Sequence, residues 1–112
     1  ERDYMDNTRK IVLKRNGTPA FYNREKIETA ILKAYMAENQ NVEDFVLRVM
    51  LREIEHEIYK DTEKIGIEDI QDIVEKVLQK HNPTIAHAYM SYRHRRHSAR
   101  NVEESLMSVL AK

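Results

Sequence analysis

Between Ile11 and Asn23 two short apolar runs flank an Asn16-Gly17 pair, and a helix opens directly afterwards. Asn-Gly between strand-like runs is a strong hairpin signal, because both residues tolerate positive φ. The spacing predicts strands over residues 10–15 and 18–22. Lys14 and Arg15 stand directly before the turn, and Lys26 falls in the first turn of the helix that Asn23 caps. A tight turn with free amides, two cations beside it and a third at a helix N-terminus suits a polyanion such as a nucleotide phosphate. An ordinary solvated hairpin tip would carry the same residues.

From Asn23 onward the hydrophobic period becomes helical. A helix over 24–37 carries Ile27, Ala30, Ile31, Ala34 and Tyr35 on one stripe. Glu38-Asn39-Gln40-Asn41 breaks the pattern. A second helix over 42–59 places Val42, Phe45, Val46, Val49, Met50, Ile54 and Ile58 on one face, widened by Leu47 and Leu51. Residues 61–66 read as a turn, and Ile65-Gly66-Ile67 as a short third strand. A third helix over 68–81 shows Ile70, Ile73, Val74, Val77 and Leu78. Asn82-Pro83 starts a fourth, with Ile85, Ala86, Ala88, Tyr89 and Tyr92 inward. Such faces cover one another as a four-helix bundle capped by a hairpin or three-stranded sheet, an α+β class that is mainly α.

The 112 residues fit one domain with one core. Residues 1–9 read as a flexible segment, 10–100 as the domain, and 101–112 as a helical extension or a linker to a further domain. The sequence starts at Glu1 without a methionine, which is expected of a piece of a longer protein. Neither GxxxxGK[ST] nor GxGxxG can be written with Gly17 and Gly66 alone, so side-chain cations would have to replace glycine amides. Without cysteine there are no disulfides, thiolate metal sites or cysteine nucleophiles, in keeping with a cytoplasmic protein. No run has the length of a membrane span. Charged residues reach 34% but cancel to zero, so global charge favours neither nucleic acid nor membrane.

Against that neutral background, Tyr92-Arg93-His94-Arg95-Arg96-His97-Ser98-Ala99-Arg100 holds four arginines and no acid. Arg93, Arg96 and Arg100 share a helix face and repel one another unless an anion sits among them. A solvated face, an anion site and a nucleic-acid surface all fit this run. His87, His94 and His97 could share a face, but no carboxylate lies near and the arginines would repel a metal ion. Glu53, Glu55 and Glu57 alternate around the second helix and read as solvating residues. Nothing in the sequence resembles a catalytic site.

Four segments stand in a telling order: Lys14-Arg15-Asn16-Gly17, Asn23-Arg24-Glu25-Lys26-Ile27, Ile67-Glu68-Asp69-Ile70-Gln71-Asp72-Ile73-Val74-Glu75, and Ala86-His87-Ala88-Tyr89-Met90-Ser91-Tyr92-Arg93. Over about residues 9–96 the chain resembles the ATP-cone, the nucleotide-binding regulatory domain of ribonucleotide reductases and of their transcriptional repressor. The Tyr92-Arg93-His94 tail is most similar to the anaerobic, glycyl-radical reductases. The resemblance implies a non-catalytic domain on which ATP and dATP, with Mg2+, compete to control overall activity through oligomeric assembly. Its partners would be adenine nucleotides, the parent reductase's catalytic domain and, depending on nucleotide, further copies of itself; a membrane is not expected, and nucleic acid is the less favoured partner.

The resemblance also implies site residues. Lys14 and Arg15 would bind phosphate with the loop amides of Asn16 and Gly17, and Val12 would pack near the base. Lys26 would reach the phosphates and Asn23 could hydrogen-bond adenine, although an N-cap role fits Asn23 equally. Gln71 stands where some members have a phosphate-facing histidine, and Arg93 with Arg96 would close the site. Ile67 stands near a family threonine whose hydroxyl it cannot supply. Two other readings remain: a nucleotide-sensing transcriptional regulator, and a helical module docking through Leu106, Val109 and Leu110.

Overall fold

The structure is a computed structural model that describes residues 10–60 and 64–110, with side chains described through residue 96. The expectations for residues 1–9 and 61–63, and for the side chains of His97, Arg100, Leu106, Val109 and Leu110, lie outside the described residues. In chain order the elements are β1 (Ile11–Leu13), β2 (Pro19–Phe21), α1 (Arg24–Ala37), α2 (Asp44–Ile58), β3 (Lys64–Gly66), α3 (Ile67–His81) and α4 (Pro83–Leu110). The sheet order is β2-β1-β3, with β1 antiparallel to β2 and parallel to β3. This is the expected architecture, a small sheet on a four-helix bundle.

The hairpin differs in detail from the two-residue loop that Asn-Gly predicts. Leu13 pairs with Pro19, so the loop spans residues 14–18. Within it the Gly17 amide donates to the Lys14 carbonyl at 2.8 Å, and the Lys14 amide to the Thr18 carbonyl at 2.9 Å. Only Gly17 takes positive φ, +87°, while Asn16 instead accepts the Thr18 amide on Oδ1 at 3.0 Å. The amides of Lys14, Gly17 and Thr18 are therefore already used inside the turn, so at those three positions the expected free donors are not present.

Helix starts follow the local chemistry. Asn23 caps α1 by accepting the Glu25 amide on Oδ1 at 3.0 Å. Asn82 does the same for α4, accepting from the Ile85 amide at 3.4 Å, with Pro83 at the first helical position. The third strand ends at Gly66, and Ile67 already belongs to α3.

The core is continuous through all four helices and reaches β1 through Val12. Ile31, Met50, Leu51, Ile54, Ile58, Leu78 and Ile85 are its fully buried centre. On α2 the inward stripe runs through Leu47, Met50, Leu51, Ile54 and Ile58. Phe45, expected inward, is 69% exposed. Two residues before Leu47 is about 200° around a helix, so a stripe centred on Leu47 and Leu51 turns Phe45 outward. α4 packs against both α1 and α3, and α2 against α3, which leaves the hairpin over the end of the bundle where α1 and α3 begin.

Polar tethers fix that placement. Tyr22 donates its hydroxyl to Glu55 at 2.8 Å and packs edge-to-face on Tyr59, while Arg24 approaches the same carboxylate at 3.5 Å. Burial first, then the Glu55 carboxylate, pushes the Tyr22 hydroxyl's pKa well up. Glu53 accepts from Lys80 at 3.2 Å and meets His81 at 3.0 Å, joining α2 to α3. Glu53 and Glu55 are thus tethers between elements, not the solvating residues their alternation implied.

Candidate functional site

The hairpin turn, the start of α1, the start of α3 and the middle of α4 line a half-open cavity of about 670 Å3. That is within the usual range for a small-molecule site. Each element offers one face. On α1, Lys26, Thr29, Ala30 and Lys33 follow helical spacing along one side. On α4, Tyr89, Tyr92, Arg93 and Arg96 do likewise. α3 contributes Ile67, Ile70 and Gln71, and the hairpin contributes Lys14 and Arg15.

Of the residues expected at a binding site, Lys14, Arg15, Asn23, Lys26, Gln71, Arg93 and Arg96 come together in this wall. Val12 does not; it is 8% exposed in the central strand and belongs to the core. Asn16 and Gly17 form the exposed turn and shape it without lining the cavity. Lys33, Tyr89 and Tyr92 also line the cavity and were not among the residues expected there. Their sequence signal was periodicity: Lys33 lies seven residues after Lys26, and Tyr89 four before Arg93.

Six cations line the cavity (Lys14, Arg15, Lys26, Lys33, Arg93 and Arg96), against one carboxylate, Glu25. Ile27, Ala30, Ile67 and Ile70 supply an apolar floor. Gln71 Oε1 is buried and lacks a hydrogen-bond partner among the described residues. A buried acceptor left unmatched costs about 1–3 kcal/mol, so a donor from a ligand would be favoured there. The start of α1, with its partial positive charge, faces the same space through Asn23, Glu25 and Lys26.

Arg93 has a second set of partners. Its side chain is 19% exposed, and one terminal nitrogen meets Asp72 at 3.0 Å and Glu75 at 2.5 Å. The other meets Glu68 at 2.6 Å. Burial disfavours the guanidinium charge, but the hydrogen bonds it donates to Glu68, Glu75 and Asp72 outweigh that and raise the pKa. Arg15 meets the other oxygen of Glu68 at 2.9 Å. Arg96 folds over Tyr92, 5.7 Å from the ring centre, and donates to its hydroxyl at 3.0 Å. The repulsion foreseen in the arginine run is therefore relieved at Arg93 by carboxylates of α3. Tyr89, buried beside this cluster, has its hydroxyl pKa pushed up by desolvation.

Among the described residues, no group of three histidine, aspartate or glutamate side chains is placed to hold a metal ion. No helix there is long and apolar enough to cross a membrane.

Residues 10–98 match the family model described as the ATP cone domain. The chain is 36% identical over 97 residues to the anaerobic ribonucleoside-triphosphate reductase of Haemophilus influenzae, covering 85% of this chain and 14% of that protein. It is 34% identical over 110 residues to the vitamin B12-dependent ribonucleoside-diphosphate reductase of Thermoplasma acidophilum, covering 89% of this chain and 13% of that protein. The chain thus spans a small fraction of the relatives it matches.

Proposed function

This chain belongs to the ATP-cone family, and we propose that its cavity binds ATP or dATP as a regulatory site of a ribonucleotide reductase. The observation that carries this reading is the convergence of six cations from the hairpin, α1 and α4 on one cavity with an apolar floor. A nucleoside triphosphate has the matching form, a polyanionic chain attached to a flat, largely apolar base.

In this reading Lys14, Arg15 and Lys26 hold the phosphates, with Lys33 and Arg96 at the margins. Asn23 has committed Oδ1 to the helix cap, which leaves its amide nitrogen as the group to meet a base or ribose. Gln71 Oε1 would accept from an amino or hydroxyl group of the ligand. Val12, Asn16 and Gly17 contribute by fixing the hairpin that aims Lys14 and Arg15. Mg2+ would enter on the phosphates, with Glu25 as the carboxylate nearest to hand; in such sites the ion keeps most of its coordination in water and phosphate oxygens.

In this reading the domain senses nucleotide, and the reduction belongs to another part of the parent protein. Bound nucleotide would bias the assembly of the parent protein, whose catalytic domain and further copies would be its partners. Control of this kind needs a ligand that binds two assembly states unequally. Isothermal titration calorimetry with ATP, dATP and GTP in magnesium buffer tests the binding step. Saturable heat with both adenine nucleotides and little with GTP is expected. No heat from a folded sample would overturn the reading.

A further inference from the structure

Glu68, in the first turn of α3, bridges two cavity cations from separate elements. One carboxylate oxygen holds Arg15 of the hairpin at 2.9 Å and the other holds Arg93 of α4 at 2.6 Å. Both arginines line the cavity. Arg93 does not depend on Glu68 to stay in place, since Asp72 and Glu75 hold its other nitrogen. The Glu68 side chain is 47% exposed, so turning it toward water requires no repacking of the core.

We propose that Glu68 is a built-in competitor for the ligand's phosphate. In the free protein its carboxylate supplies the anion that Arg15 and Arg93 would otherwise take from a triphosphate. An incoming phosphate and the Glu68 carboxylate repel each other across the same two cations, so binding drives Glu68 outward. Arg15 passes to the ligand, and Arg93 keeps Asp72 and Glu75 while offering its second nitrogen to phosphate. The contact between hairpin and α3 through Glu68 is then replaced by one through the ligand. This inference deepens the nucleotide reading and rests on it.

The test is calorimetry on wild type, E68Q and D69N with ATP, inorganic triphosphate and adenosine. Asp69 carries the same charge one residue along, and nothing places it against the cavity cations. E68Q is expected to bind ATP and triphosphate about three- to tenfold more tightly, the reach of two partly exposed ion pairs, with adenosine unchanged. D69N should stay within about twofold of wild type. Unchanged or weaker binding by E68Q would overturn the proposal, as would equal tightening in D69N, which would mean a diffuse charge effect. If wild type is silent but E68Q binds triphosphate, competition stands and only the native-ligand reading falls. Silence in all three proteins overturns both.

Discussion

At the residue scale, one arginine and two lysines on the same cavity have different duties. Lys14 and Lys26 are exposed and make no ion pair among the described residues, so their charge is available to a ligand. Charge-assisted contacts are worth about 1.5–3 kcal/mol each. Lys14→Ala or Lys26→Ala is therefore expected to weaken ATP binding about tenfold to a hundredfold with an unchanged circular dichroism spectrum. Unchanged affinity in both variants would remove these lysines from the site. Arg93 is held by three carboxylates, and removing it strands Glu75, which is 23% exposed. Arg93→Ala should thus cost about 1–3 kcal/mol of stability besides any loss of binding, read as a lowered urea midpoint. The lysines could be read in the sequence because they sit beside a turn and a cap. Arg93's partners could not, because Glu68, Asp72 and Glu75 lie far from it in the chain and meet it only when α3 packs on α4.

The elements were legible where local chemistry decides them. The Asn23 and Asn82 caps, Pro83 and the helical stripes gave four helices close to their observed bounds. The hairpin loop was less legible: Asn-Gly announces a turn, but whether one or both residues take positive φ depends on the strand register, a tertiary matter. Gly17, at φ +87°, is the residue that requires the left-handed region, and an added Cβ there would meet nothing within 4 Å. The cost of Gly17→Ala is then purely backbone, about 1 kcal/mol. A denaturation midpoint unchanged by this substitution would contradict the loop geometry. Between α2 and α3 the Glu53 tether is pH-dependent. Its hydrogen bond with His81, and then that with Lys80, hold the carboxylate below its ordinary value of 4.5. A lowered carboxylate pKa stabilises the fold above the unfolded value, and that stability fades as pH falls through the folded value. The gap in urea midpoint between wild type and E53Q should therefore narrow as pH drops below about 4.5; a gap that widens would reverse the assignment.

For the whole molecule, the cavity exists because the small sheet holds the hairpin against the open end of the bundle. Its four walls come from segments as distant as Lys14 and Arg96, so the site as a unit becomes visible only in the folded chain. A ligand bridging those walls binds the folded state alone. At a hundredfold excess over Kd it should add about 2.7 kcal/mol, a rise in Tm on the order of 10 °C. The most direct test of the central claim, that adenine nucleotide occupies this cavity, is a titration of isotope-labelled protein with Mg-ATP followed by amide chemical shifts. The largest shifts are expected in Lys14, Arg15, Lys26, Gln71 and Arg93, with the C-terminal end of α3 around His81 quiet. Shifts centred on the C-terminal end of α3, or none at saturating nucleotide, would contradict nucleotide binding in this cavity.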